Sequence, residues 1–416
     1  MNKFDLLAQG EESAKRYLDG THRLTDPATT LARVMPLAGR MGITRVAVLT
    51  GLDVIGIPVV AAYRPNSRSI AVHQGKGSTL AAAKASAVME AVESYHAENI
   101  ATDVRVASFA EVGAHAAAVA PERLPHAAGA GECSDHDRLL WIAGHDLMTG
   151  RARYVPYELV CADFTWPELP GLRRFQATTN GLAAGNYHIE AVLHALYEVV
   201  ERDAMALWQA APTVAQEATV LDPDGITGPV SRALLARFAA APVALCLWDI
   251  TSDIRLPTFQ CLVASADATE GVEPQIGAGC HADADIALAR ALAEAAQARL
   301  TVLVGARDDI ADAGYRPSVR AARQQIAARW MRSTPCRSFA SVASCAGPTL
   351  RDDLETVLSR LADRGFDQTV WVDLSQPDIG IPVARVIIPG MEGPWTPPGG
   401  EYTPGRRARA AATYGL

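Results

Sequence analysis

The stretch HQGKGSTLAAAKASAVMEAVESYHAE, residues 73–98, decides how the rest of this chain reads. It opens on Gly75 and Gly77. It then runs without Pro or Gly through strong helix formers, which predicts a long helix. On that helix Ser86, Glu90 and Glu93 fall at i, i+4 and i+7, on one face. Their neighbours Ala85, Ala87, Val88, Met89, Ala91 and Val92 are apolar. An ordinary surface helix has a broad polar side and a narrower apolar stripe. Here the polar stripe is the narrow one.

The arrangement returns downstream, where TTNGLAAGN precedes HIEAVLHALYEVVERDAMALW. Glu190, His194, Glu198 and Glu201 follow i, i+4, i+8 and i+11 among apolar residues. Glu90 and Glu93 lie 13 and 16 residues after Gly77, and Glu198 and Glu201 lie at the same offsets from Gly185. A third Ala-rich segment, GAGCHADADIALARALAEAAQARL, carries Glu294 and Gln297 at the same mutual spacing. Strand signals recur as well: an Asp, an apolar stretch and a Pro precede a Val/Ile/Ala-rich run at Pro58, Pro257 and Pro382. The section around Pro156 reads as a more degenerate copy. Strands alternating with long helices predict a mixed α/β (α+β) protein with internal pseudo-repeats.

Carboxylates on a buried helix face are costly unless paired or bound to a cation. Two of them about 6 Å apart repel by roughly 3 kcal/mol at an effective dielectric of 20. Magnesium bridged to phosphate oxygens removes that penalty, because it is a hard cation that prefers oxygen ligands. The alternative is a structural network in which these glutamates pair with Arg202, Arg290 and Arg299. Matching offsets on two helices favour the metal and nucleotide. The glycine loops ahead of the helices favour it too, since backbone N–H groups there can approach a phosphate and Lys76 adds a point charge. HQGKGST is not a Walker A loop, because position 70 is Ile. GAGCHA fits a dinucleotide pattern only as a short match without βαβ context. No His-Glu-x-x-His, Gly-x-Ser-x-Gly or kinase signature occurs.

Composition narrows the class. The 416 residues carry a formal net charge of -8 and a pI near 5.7, which argues against a nucleic-acid binder. No apolar run has the length of a membrane span. The start, MNKFDLLAQGEESAKRYL, lacks an apolar signal core, so the expected location is cytoplasmic. Seven cysteines without a Cys-x-x-Cys read as reduced thiols. Cys280, beside His281, reads as a small buried residue before it reads as a nucleophile. The stretch from Val112 to Gly131 reads as a helix and a loop, and the Gly/Pro/Arg-rich tail after Gly390 as irregular.

Together these segments resemble the YcaO family. The carrying features run from about Gly51 to Gly390: GKGST with Ser86-x-x-x-Glu90-x-x-Glu93, TTNGLAAG with Glu190 and Glu198-x-x-Glu201-Arg202-Asp203, WIAGHDLMTGRARYVP, Glu294-x-x-Gln297, GARDD and RVIIPG. The resemblance implies a YcaO-type fold around a central ATP site. It divides the chain into an N-terminal segment (1–65), a catalytic core (66–395) and a tail (396–416). ATP and Mg2+ are the implied cofactors. Ser86, Glu90, Glu93, Glu190, Glu198, Glu201 and Arg202 would hold them, the five glutamates as metal ligands, with Lys76 and Arg307 as further nucleotide contacts. Glu198, Glu201 and Arg202 would serve the chemistry. The family's first helix often ends Glu-Arg, whereas Ser94 follows Glu93 here.

The implied reaction is ATP-dependent O-phosphorylation of a backbone amide in a peptide or protein. An external sulfur donor would give a thioamide; a neighbouring Cys, Ser or Thr would give an azoline. The segment around THRLTDPATTLARVMPLAGRMG resembles YcaO proteins that work with a TfuA partner, which favours the thioamide, and Thr21, His22 and Arg23 would either lie near nucleotide or substrate or cap a helix. The chain ends in AAATYGL, not in the Pro-x-Pro-x-Pro tail of many azoline-forming relatives. A homodimer is implied by the same resemblance. Outside this class stand a noncatalytic nucleotide-binding scaffold and an ATP-independent carboxylate hydrolase.

Overall fold

The computed structural model describes residues 14–113, 117–131, 133–165, 174–266, 272–307, 316–393 and 403–414. Helices of eight residues or more are α1 (Pro27–Val34), α2 (Leu80–Glu98), α3 (His188–Ala210), α4 (Pro229–Ala239), α5 (Ala284–Val304), α6 (Pro317–Trp330), α7 (Leu350–Asp363) and α8 (Arg406–Tyr414). Strands are β1 (Arg45–Val48), β2 (Val59–Tyr63), β3 (Val72–Lys76), β4 (Val104–Ser108), β5 (Arg138–Asp146) and β6 (Ala152–Pro156). They continue with β7 (Leu182–Ala184), β8 (Val243–Asp249), β9 (Thr258–Ser265), β10 (Gln275–Cys280), β11 (Val370–Asp373) and β12 (Val383–Ile387). This is the mixed α/β class expected from the pattern.

The proline signals mark strand starts. β2, β9 and β12 each begin at the residue after Pro58, Pro257 and Pro382. A proline cannot donate to the ladder, so it sits just outside it. At the degenerate copy the order is reversed, and β6 ends on Pro156.

The chain groups into two compact units, neither continuous in sequence. The second of them, Lys15–Ala91 with Thr213–Ala346, is built from one β-β-β-α motif used twice. β1, β2 and β3 form an antiparallel sheet followed by α2; β8, β9 and β10 form another followed by α5. In each, the helix lies so close to the third strand that only glycine fits beneath it. A Cβ on Gly75 would strike the backbone of Ala83 and Ala87, and one on Gly279 would strike Ala287 and Ala291. The spacing is the same, so Gly75 aligns with Gly279. That register carries Glu90 onto Glu294 and Glu93 onto Gln297.

Phe238, Leu247, Phe259, Leu288 and Leu292 form the core under the second sheet, while Leu300 joins Leu49, Val59 and Val72 under the first. Helix α5 therefore serves both sheets. Arg299, 3% exposed, is held there by Asp53 at 3.0 Å.

The first unit takes the described residues of Val92–Pro212 and Gly347–Leu416. Its antiparallel sheet has the order β4-β5-β11-β12-β7, with β6 also on β5. Helix α3 packs on β12 and β7, and α7 and α8 pack on α3. A Cβ on Gly185 would lie 2.7 Å from Ala191 N and 2.8 Å from Glu190 Cβ. One on Gly77 would meet Ala83 N at 2.8 Å and Ala82 Cβ at 2.6 Å. Gly77 and Gly185 are thus equivalent in geometry as well as in their offsets to the carboxylates.

One expectation needs correction. The tail is not irregular throughout: Arg406–Tyr414 is helical. RRARAAATY contains no Gly or Pro, and its first N–H groups are capped by Glu392, which accepts from Gly405 N and Ala408 N, both at 2.8 Å. Arg407 forks onto the fully buried Asp203 at 3.0 and 2.9 Å. In the stretch from Val112, the helix Phe109–Gly113 reaches Gly113, Pro121–Arg123 is a 3-10 turn, and residues 114–116 lie outside the described residues.

Removing Arg407 tests the anchor. Burial raises the Asp203 pKa above the ordinary carboxylate range, and Arg407 opposes that shift. Arg407→Ala leaves the buried carboxylate uncompensated, at a cost of roughly 3–5 kcal/mol. Its folded-state pKa then lies further above the unfolded value, about 4. The group's contribution is therefore present below that value and lost as pH rises. The melting-temperature deficit of R407A should be large at pH 7 and narrow towards pH 4. A deficit unchanged with pH would contradict the assignment.

Candidate active site

Helix α2 belongs to both groupings: through Ala91 it is counted with the second unit, and from Val92 with the first. Ser86, Glu90 and Glu93 are half-buried on one face of it, while Ala87, Val88, Ala91 and Val92 are fully buried. The narrow polar stripe read from sequence is therefore real, and its width follows from the packing of everything else.

In the first unit, Glu93 Oε1 accepts from Ala184 N at 2.7 Å, which ties the helix to the end of β7 and so to the TTNGLAAG loop. Glu190 is fully buried, and its Oε2 accepts from Asn186 N at 2.8 Å, fixing the entry to α3. Glu198 is half-buried and Glu201 is 2% exposed. Arg202 places Nη2 at 3.5 Å from Glu201 Oε1 and Nη1 at 3.4 Å from Met205 Sδ. Of the arginines weighed for a structural network, Arg202 does approach a site glutamate, whereas Arg299 is taken by Asp53.

In the second unit, Lys76 Nζ is 2.7 Å from Glu294 Oε2, so the ammonium expected to meet phosphate is engaged by a carboxylate. Gln297 Nε2 donates to Gln74 O at 2.8 Å. Arg307 is half-buried just beyond Gly305, the left-handed cap of α5; Asp308 and Asp309 of GARDD lie outside the described residues. His22 packs edge-on against His281, ring centroids 5.0 Å apart, and burial pushes its pKa down to about 4. Cys280 is fully buried at the end of β10, as a packing residue would be.

One residue was not singled out from sequence. Arg385, on β12 within RVIIPG, is 2% exposed. Its Nη2 donates to Thr178 O at 2.7 Å, while Nε and Nη1 meet no protein acceptor among the described residues. Burial pushes its pKa down to about 10, and the charge of Glu198 pulls it back up. It borders a small cavity of about 40 Å³ with Thr178, Asn180 and Val199. The signal was legible: a lone Arg in an otherwise apolar strand.

The donor set suits magnesium. The acidic side chains offer hard oxygens in pairs, and among the described residues no three His, Cys, Asp or Glu side chains form a closed metal cluster. Magnesium is commonly held by one or two carboxylates together with substrate phosphates and water, so paired carboxylates beside glycine loops fit it.

A mixed α/β chain carrying paired glutamates on repeated helices offers the oxygen donors that a nucleotide with magnesium requires. The family described as YcaO cyclodehydratase, ATP- and Mg2+-binding, matches residues 74–392. The chain is a member of the YcaO family, whose domain takes ATP and Mg2+ as cofactors.

It is 36% identical over 377 residues to a protein in the tfuA 3' region of Rhizobium leguminosarum bv. trifolii, covering 89% of this chain and 88% of that one. It is 35% identical over 375 residues to a protein of Methanothermobacter thermautotrophicus, covering 88% and 94%. Among solved structures, YcaO from Methanopyrus kandleri bound with AMPPCP and Mg2+ matches with a TM-score of 0.71 at 22% identity, over 93% of this chain and 99% of that one. A heterocyclase in complex with substrate and cofactor matches with a TM-score of 0.74 at 22% identity, over 93% of this chain. The match spans 55% of the heterocyclase chain. At these identities the likeness to the two structures is one of fold. No described helix is long and apolar enough to cross a membrane.

Arg385 yields a prediction about stability. A buried charge with two unmatched N–H groups contributes little or negatively to folding. Arg385→Met should therefore melt within about 1 kcal/mol of wild type, or above it, in thermal unfolding. A strongly destabilised variant would make Arg385 a structural residue.

Proposed function

We propose that this chain uses ATP and Mg2+ to activate a backbone amide of a peptide or protein by O-phosphorylation, and that the product is a thioamide made with an external sulfur donor and a TfuA-like partner. The observation that supports this most directly is the strong, nearly full-length match to a protein in a tfuA 3' region. Glu90, Glu93, Glu190, Glu198 and Glu201 are assigned to the metal ions, and Lys76, Ser86, Arg202 and Arg307 to the nucleotide, within a catalytic core of residues 66–395. Bound ATP with its magnesium supplies the phosphoryl group and neutralises the charge of its transfer.

In this reading a hydrosulfide-class nucleophile adds to the amide carbonyl carbon and leaves an oxyanion. The oxyanion oxygen takes the γ-phosphoryl group, with ADP departing. Loss of a proton and of inorganic phosphate forms the carbon–sulfur double bond. Oxygen leaves as phosphate, so atoms balance without a redox step. Arg202 sits beside Glu201, where a guanidinium can oppose phosphoryl charge. No protein nucleophile is required, consistent with a fully buried Cys280.

A second reading, azoline formation on Cys, Ser or Thr of a ribosomally made peptide, is favoured by the cyclodehydratase description of the family. The same activation serves both; only the nucleophile differs. A cytoplasmic homodimer is proposed on family grounds.

Two measurements test the proposal. Calorimetric titration of ATP should give binding that depends on magnesium and is lost in Glu90→Gln and Glu198→Gln, with circular dichroism unchanged. Unchanged binding in both folded variants would return these glutamates to a structural role. Mass spectrometry of the modified substrate then separates the products. Exchange of one oxygen for sulfur supports the thioamide, and loss of one water supports the azoline. Substrate modification without ATP would sink both.

A further inference from the structure

We propose that the small cavity bordered by Arg385 is the seat of the sulfur nucleophile, a hydrosulfide anion held by the guanidinium against an apolar wall. The inference rests on the thioamide reading and adds to it the place from which the attacking group comes.

Arg385 supplies the charge. It is 2% exposed and donates one hydrogen bond, from Nη2 to Thr178 O at 2.7 Å. It makes no ion pair with the described residues, and Nε and Nη1 meet no acceptor among them. A buried cation in this state is costly, and an anion that accepts from its N–H groups removes the cost. The cavity that Arg385 borders also has Val199 in its wall, one residue after Glu198, which is assigned to magnesium. Arg385 feels the charge of Glu198 without pairing with it, so the seat lies beside the assigned metal ligand.

Size and lining select the anion. The cavity of about 40 Å³ has room for on the order of three water-sized groups, which admits a one-atom anion and excludes a nucleotide. Leu159, Val199, Ile388 and Met391 make its apolar wall. Such a wall favours a polarizable, weakly hydrated ion, and the guanidinium is itself weakly hydrated. Hydrosulfide has these properties. Asn180 Oδ1, also in the lining, meets no donor among the described residues, so the amide can turn an N–H towards an anion. Glu392 borders the cavity as well and would repel one. Its two oxygens, however, accept from Gly405 N and Ala408 N at the start of α8, where the helix dipole offsets the charge.

From this seat the sulfur bonds to the amide carbonyl carbon, and the carbonyl π pair moves to oxygen. That oxygen takes the γ-phosphoryl group of ATP. The S–H proton and phosphate then leave as the carbon–sulfur double bond forms, with no oxidant or reductant required.

Anaerobic calorimetric titration of sodium hydrosulfide into the full chain, without ATP, magnesium or peptide, reads the site directly. Wild type should bind saturably at a single site, and bromide, a weakly hydrated one-atom anion, should compete. Arg385→Met should weaken binding about tenfold or more, the scale of a lost charge-assisted hydrogen bond. No binding by wild type, or undiminished binding by folded R385M, overturns the proposal. Should R385M not fold, Val199→Leu decides, because it narrows the cavity and leaves the charge in place. It should weaken binding, and an unchanged affinity overturns the proposal. A thioamide product from a chain that does not bind hydrosulfide would overturn this site alone, whereas an azoline product would sink the thioamide reading whatever the heats show.

Discussion

The interaction on which the rest depends is the contact between a long alanine-rich helix and the third strand of its own motif. A strand glycine and a helix alanine remove the side-chain volume that would otherwise separate two backbones. At Gly75 and Gly279 a Cβ would collide with helix backbone, so the close approach is compulsory. Once helix and strand are this close, every position along the helix has a fixed height over the sheet. The carboxylates then cannot drift relative to the glycine loop. Glu90 and Glu93 accordingly lie at the same offsets from Gly77 as Glu198 and Glu201 do from Gly185.

Most of each helix surface is taken by packing. Along α3, Ile189, Val192, Leu196, Val199 and Val200 are buried, and Glu201 itself is 2% exposed. Carboxylates in such surroundings need counter-charge or hydrogen bonds. The protein meets this need in several ways. Glu93 and Glu190 accept backbone N–H groups, Glu294 takes an ammonium, and Glu201 lies beside Arg202. None of these arrangements closes a metal site from protein atoms alone among the described residues. That suits a cation that arrives with phosphate oxygens in its own coordination shell.

The same helix α3 also carries Asp203, on which the C-terminal helix is anchored through Arg407. Asp203 follows Glu201 and Arg202 directly in sequence, so the anchor and the assigned site share one helical turn. Arg385 adds a buried guanidinium under that helix, joined to the glycine loop through Thr178 O and to Glu198 through charge. Strand, loop and helix of the first unit are therefore linked by buried charges as well as by apolar packing.

What the sequence determined by itself was everything set by local period and local chemistry. The narrow polar stripe of Ser86, Glu90 and Glu93, the matched offsets from Gly77 and Gly185, and the strands opening after Pro58, Pro257 and Pro382 were all legible, because they arise within one element or one turn. The mixed α/β class followed from their alternation, and the family from their order. Tertiary structure alone decided the rest. Lys76 is separated by most of the chain from Glu294, so nothing local could announce that its ammonium is engaged. The tail read as irregular because Gly and Pro surround it, yet Arg406–Tyr414 is helical where Asp203 and Glu392 supply partners. Arg385 stood in plain view within RVIIPG, but its burial depends on strands and a helix distant in sequence. Local propensity proposes an element; which charges meet is settled by long-range packing, and a single chain of letters does not record it.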